Sequence, residues 1–275
     1  MRIKANGITI NVLEHPARDA TANRPALIFL HYFGGSSRTW TEVINHLSVD
    51  YRCIAPDLRG FGDSDAPTNG YAVNDYADDI AALIARMNVK NYVLVGHSMG
   101  GKIALALAAR RLIGLRSLVL LAPSPPTPEP MPNDARARLL ATHGDRQAAE
   151  ETLRKITAHP LPACIFHRTV EDCLRSALPA WRAWLERGSR EDISADATNV
   201  NVPTVVVAGG ADEPLTAEFL RREVVERVVG AQLTTLPGVK HLLPLEDSLK
   251  TAELINDHCQ QTSLASCTSL DNTTT

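Results

Sequence analysis

Three residues in this chain have the types and spacing for nucleophilic catalysis: Ser98, Asp212 and His241. Ser98 stands in Gly96-His97-Ser98-Met99-Gly100-Gly101, between an apolar run (Val93, Leu94, Val95) and an alanine-rich segment of helical character. A neutral hydroxyl is a poor nucleophile. It needs a base to take its proton, and the base needs a carboxylate to hold it and balance its charge. Asp212 follows the run Val205–Val207 and a Gly-Gly turn, and His241 follows Gln232–Leu236. Serine, acid and histidine therefore occur in the order expected of a nucleophile raised on a strand-to-helix corner.

The competitors are weaker. Asp212 could instead cap the helix that begins near Pro214, and His241 could be a surface histidine; together, after successive strands, those readings lose force. His15 and His46 sit in peripheral elements, His143, His159 and His167 lie in a mid-chain segment without strands, and His258 is near the end. Glu213 is the nearest rival acid, and Glu246 and Asp247 follow His241. The strand after the serine helix ends in Ala122-Pro123-Ser124, which offers no carboxylate. A tetrahedral intermediate also needs two amide donors. The backbone of Met99, next to the serine, and that of Phe33, in the glycine turn His31-Tyr-Phe-Gly-Gly, are the candidates.

Such residues need a sheet beneath them. Strand-like runs recur at Ala26–Tyr32, Tyr51–Pro56, Asn91–Val95, Ser117–Ala122, Thr204–Ala208 and Gln232–Leu236. Runs this apolar suit strands covered on both faces. Val73, Tyr76, Ile80, Leu83, Ile84 and Met87 recur at helical spacing, as do Leu215, Phe219, Leu220, Val224, Val225 and Val228. The alternation predicts an α/β fold with a mostly parallel sheet. Asn6-Gly7 predicts a tight hairpin ahead of it. From Pro123 to about Val202 no strand is expected. That stretch opens proline-rich and continues through helical patterns at Asp145–Ile156 and Thr169–Glu186, with a kink at Pro179. We expect a core of residues 1–123 and 203–261, a helical cap of residues 124–202, and an unordered polar tail over residues 262–275.

The chain resembles the α/β-hydrolase superfamily from about Ala26 to His258. The resemblance is carried by His31-Tyr-Phe-Gly-Gly, by Asp57-Leu-Arg-Gly-Phe-Gly-Asp-Ser64, by Gly96-His-Ser-Met-Gly-Gly101, and by Asp212 with His241. It implies a serine esterase-like hydrolase acting through an acyl-enzyme. With no HExxH and no Walker-type loop, no cofactor or metal is expected, and Trp181, Trp184 and the leucines of the insertion suggest a small to medium carboxylic ester. Relatives commonly have His-Gly where this chain has His31-Tyr32; the tyrosine would narrow the oxyanion loop or bring a hydroxyl near the substrate. Serine at the corner argues against haloalkane dehalogenases and epoxide hydrolases of the family, which use aspartate. Lactonase, thioesterase, C–C bond hydrolase, cofactor-free perhydrolase and small-molecule receptor remain open.

Composition narrows the partners. In 275 residues, 28 Lys+Arg face 31 Asp+Glu, for a formal net charge of −3, with no basic run. That favours neither nucleic acid nor an anionic membrane surface. No apolar run approaches the ~20 residues of a membrane span. Five scattered cysteines without metal-type pairing, and no apolar leader, suggest a reduced, cytoplasmic protein. A small-molecule substrate is the expected partner, and oligomeric state is not readable.

Overall fold

The computed structural model describes residues 1–19 and 24–271. Eight strands form one sheet: β1 (Arg2–Ala5), β2 (Ile8–His15), β3 (Ala26–Leu30), β4 (Cys53–Pro56), β5 (Tyr92–His97), β6 (Leu115–Leu121), β7 (Thr204–Gly209) and β8 (Gln232–Leu236). Their order is β1-β2-β4-β3-β5-β6-β7-β8. β1 with β2 and β2 with β4 pair antiparallel, and all other pairs are parallel. Ala5 pairs with Ile8, so Asn6 and Gly7 alone make the first turn, at φ 49° and 79°. Both values suit the two-residue hairpin that Asn-Gly favours.

The apolar runs are uninterrupted because both faces of the sheet are covered. Ile28, Leu30, Leu94, Leu120 and Val206 pack with one set of helices. Leu27, Phe29, Val93, Val95 and Val207, the alternate positions, pack with the other. Helices α1 (Thr41–Leu47), α2 (Val73–Arg86) and α3 (Met99–Ala108) connect the early strands. Between β6 and β7 the chain makes only helices: α4 (Asn133–Ala141), α5 (Arg146–Lys155), α6 (Ala163–Leu174), α7 (Leu178–Glu186) and the short α8 (Ser194–Ala197). The last three are α9 (Ala217–Glu223), α10 (Leu243–Glu246) and α11 (Ser248–Asp271).

Two local expectations need correction. Pro179 does not kink a continuous helix. α6 stops at Leu174, and Pro179 occupies the first turn of α7, where a missing N–H breaks no helical bond. The polar stretch from Thr262 is not irregular from its first residue, because α11 continues through Asp271. Hydroxyl groups in that stretch bond back to the preceding turn, as Ser263 Oγ does to the Cys259 carbonyl (2.8 Å). Residues 272–275 lie outside the described residues.

The insertion is fastened to the core by buried polar groups. Lys102, on α3, is fully buried, and its ammonium donates to the carbonyls of Thr127 and Glu191, one near each end of the insertion. Burial lowers its pKa to about 8. In the insertion, the buried Asp172 accepts from Ser36 Oγ (2.8 Å) and Arg38 Nε (2.9 Å) of the glycine-turn loop.

Candidate active site

Ser98 sits between β5 and α3 with φ 52° and ψ −116°, a backbone region that L side chains rarely adopt. Close packing holds it there. A Cβ at Gly96 would meet the Gly100 carbonyl oxygen at 2.5 Å, and one at Gly100 would meet the Leu30 oxygen at 2.3 Å. A Cβ at Gly101 would strike Pro123 at 2.6 Å. The first two obstacles are backbone atoms and cannot swing away. The Ser98 amide donates to Leu121 O (3.0 Å), and its carbonyl accepts from Ser124 N (2.9 Å), so the turn is stitched to β6.

His241 Nε2 lies 2.9 Å from Ser98 Oγ, and His241 Nδ1 lies 2.9 Å from Asp212 Oδ2. Two loops carry these partners. The Asp212 loop leaves β7 at Gly209, where a Cβ would fall 2.0 Å from the Lys240 oxygen, so only glycine allows that approach. Gly210 N donates to Leu236 O and Ala211 N to Val239 O, binding the loop to the one after β8.

The histidine loop is held mainly by hydrogen bonds. The Glu246 carboxylate accepts from the amides on either side of the histidine, Lys240 (3.1 Å) and Leu242 (3.1 Å), and from Ala158 of the insertion (2.6 Å). The His241 amide donates to Ile156 O (3.1 Å), also in the insertion. His97, fully buried beside the serine, donates from Nε2 to the His241 carbonyl (2.7 Å). Its Nδ1 has no partner among the described residues. Burial, reinforced by the neighbouring His241, pushes the His97 pKa well below the ordinary histidine value, so the ring is neutral.

The glycine-turn loop after β3 is anchored from below. His31 is buried; its Nδ1 contacts Tyr32 O (2.8 Å), and its Nε2 accepts from Leu58 N (3.0 Å). Asp57 accepts from the amides of Ser37 (2.6 Å) and Asp63 (2.8 Å) and from Asn11 Nδ2 (2.9 Å). Burial alone would raise the Asp57 pKa, but these donors carry it below the ordinary aspartate value. Among the described residues, neither the Phe33 nor the Met99 amide has an acceptor in the protein. Tyr32 fills the space beside His97, ring centroids 5.2 Å apart, against Leu153 and Val170 of the insertion. A cavity of about 560 Å³ opens over Ser98 and His241, with Tyr32, Phe33, Trp181 and Trp184 among its walls.

The structure thus brings Ser98, His241 and Asp212 into one hydrogen-bonded chain, with Phe33 on the cavity wall and Met99 next to the serine. The sequence names Glu246 only as a rival acid and His31 only within the glycine-turn motif, and it singles out neither Asp172 nor Lys102; no motif marks the hydrogen bonds that Glu246, Asp172 and Lys102 make.

The comparisons bear on the family and the fold. The family model for the alpha/beta hydrolase fold matches residues 25–159. A 2-(acetamidomethylene)succinate hydrolase from Mesorhizobium japonicum is 30% identical over 250 residues, covering 87% of each chain. The chain belongs to the α/β-hydrolase superfamily. This hydrolase is also 25% identical over 268 residues to a bifunctional esterase/perhydrolase from Acinetobacter calcoaceticus, covering 91% of its own length and 94% of the relative's. An esterase from Exiguobacterium antarcticum shares the fold of the hydrolase, with a TM-score of 0.85 at 23% identity over 94% of this chain and 99% of that one.

Proposed function

We propose that the chain is a serine hydrolase cleaving small to medium carboxylic esters, with Ser98 as nucleophile. The supporting observation is the relay from Ser98 Oγ through His241 to Asp212, at 2.9 Å for each contact, on a strained corner. His241 takes the hydroxyl proton as Ser98 Oγ attacks the ester carbonyl carbon. Asp212 holds the imidazole tautomer and balances its charge. The free amides of Phe33 and Met99 receive the oxyanion. The tetrahedral intermediate collapses, His241 passes its proton to the leaving alcohol, and the acyl group stays on Ser98. Water, deprotonated by His241, then attacks the acyl carbon; Ser98 leaves with the proton, and the carboxylic acid departs.

The insertion, residues 124–202, acts as the cap that shapes the substrate cavity. A volume of about 560 Å³ lies in the range of small-molecule sites. The test is hydrolysis of p-nitrophenyl esters from acetyl to decanoyl by wild type and Ser98→Ala. We expect Ser98-dependent turnover with its best rate below octanoyl. Rates that climb steadily to decanoyl would overturn the size assignment. Turnover indifferent to Ser98→Ala, or none on any ester, would overturn the esterase reading.

A further inference from the structure

The cavity has an apolar wall and a charged one. On the apolar side, Phe33 lies against Trp181, ring centroids 4.3 Å apart, and near Trp184, 6.4 Å apart. The Trp181 indole N–H is already donated to Leu139 O (2.9 Å), so that residue needs nothing polar from a ligand. The lining also carries Glu129, together with Ser98 and His241. The main chain fixes Glu129: its amide donates to Ser189 O (2.8 Å), and its carbonyl accepts from Met131 N (2.8 Å), between Pro128 and Pro130.

Lys102 and Arg136, the cations near Glu129, do not line the cavity. The Lys102 ammonium serves the Thr127 and Glu191 carbonyls, and the Arg136 guanidinium serves Leu185 O and Ser189 Oγ. Over the whole cavity, four carboxylates (Glu129, Asp134, Asp145, Glu151) face two cations, Arg138 and Lys155. Arg138 is itself paired with Glu151 (3.0 Å). Burial raises the Glu129 pKa above its ordinary value; Ser124, Lys102, His241 and Arg136 oppose that rise without cancelling it.

Resting on the ester-hydrolase reading, we propose that this cavity selects neutral or cationic esters bearing a flat apolar group and rejects those bearing a carboxylate, with Glu129 setting the choice. A second carboxylate brought beside Glu129 meets its repulsion. The same charge serves turnover. Hydrolysis converts a neutral ester into a carboxylate, and that product leaves against Glu129 more readily than the substrate did. The preference sets this chain apart from the relative whose name gives it a succinate substrate.

The experiment measures binding of benzamide, benzamidine and benzoate at pH 8 to the full chain, read from tryptophan fluorescence, since Trp181 and Trp184 line the cavity. In wild type, benzoate binds at least about tenfold more weakly than benzamide, and benzamidine binds no more weakly than benzamide. In Glu129→Gln the benzoate–benzamide gap closes to within about threefold; Glu129→Ala repeats the test by a second route. The readout is a ratio, so a general loss of folded protein cancels. Equal affinities in wild type, or a gap that survives both substitutions, overturns the proposal. Ser98-dependent hydrolysis of p-nitrophenyl acetate is measured on the same preparations. Its failure would remove the esterase reading while leaving the charge selection of the cavity separately decided.

Discussion

The serine corner and the histidine loop face each other across 2.9 Å, yet they are positioned by different forces. The corner is held by exclusion. Gly96, Gly100 and Gly101 sit where any Cβ would strike atoms of the chain, and the backbone of Ser98 takes the one path left open. The histidine loop is held by acceptors. One carboxylate, Glu246, gathers three amides, two of them flanking His241 and one from the insertion. The three glycines are neighbours in sequence, although two of their obstacles, Leu30 and Pro123, come from elsewhere in the chain. Of the bonds to Glu246, those from Lys240 and Leu242 are local, and the one from Ala158 lets the insertion share in placing the histidine.

The largest effect is expected where exclusion is broken. Gly100→Ala sets a methyl 2.3 Å from the Leu30 oxygen, against the backbone of Leu30 and His31. We expect a loss of roughly 3 kcal/mol or more, a Tm lowered by roughly 6–12 °C, and a fall in turnover, checked by thermal unfolding beside ester hydrolysis. An unchanged Tm would mean that the corner relaxes easily.

Glu246→Gln tests the other side. It keeps one acceptor oxygen and loses the second, so the amides around His241 compete. Misplacing a reacting group by about 1 Å costs on the order of 10²-fold in rate. We expect kcat to fall by about that factor with KM nearly constant, measured on the best p-nitrophenyl ester. A wild-type kcat would show that packing alone places the histidine loop.

The third prediction concerns pH, where the two regions touch through His97. Its folded pKa lies well below the ordinary value of about 6.5. Below that pH the unfolded chain binds a proton that the folded chain refuses, so stability is full above pH 6.5 and falls as pH drops. The loss from this one ring begins below about pH 6.5 and grows toward about pH 5. His31, also buried and shifted downward, acts in the same direction. Urea midpoints from pH 7.5 to 5 measure the slope. His97→Gln is expected to flatten it, and an unaltered slope would assign the acid sensitivity elsewhere.

This contrast explains what was legible in the sequence. The sheet was readable because strands covered on both faces are apolar throughout, as Leu27, Ile28, Phe29 and Leu30 show. The corner was readable because glycine is the only residue that close packing tolerates there. Asp212 and His241 could be named from chain order, and the structure brings both to the serine. Glu246 and Asp172 could not be named for what they hold. Carboxylates are common, and nothing in the letters says that one will collect amides from the insertion or bind Ser36 and Arg38. The break before Pro179 was missed because proline disrupts a helix interior yet suits a first turn. The continuation of α11 was missed because serine and threonine favour irregular structure only weakly.

Lys102 has a consequence for the ancestry and engineering of the chain. Because one ammonium reaches both the Thr127 and Glu191 carbonyls, the long excursion between them leaves and re-enters the body of the protein at nearly the same point. An excursion whose ends already meet is a detachable module. Exchanging it for one of different shape through a link of a few residues would leave β6 and β7 paired, but would have to replace the Ala158 and Ile156 bonds that steady the histidine loop.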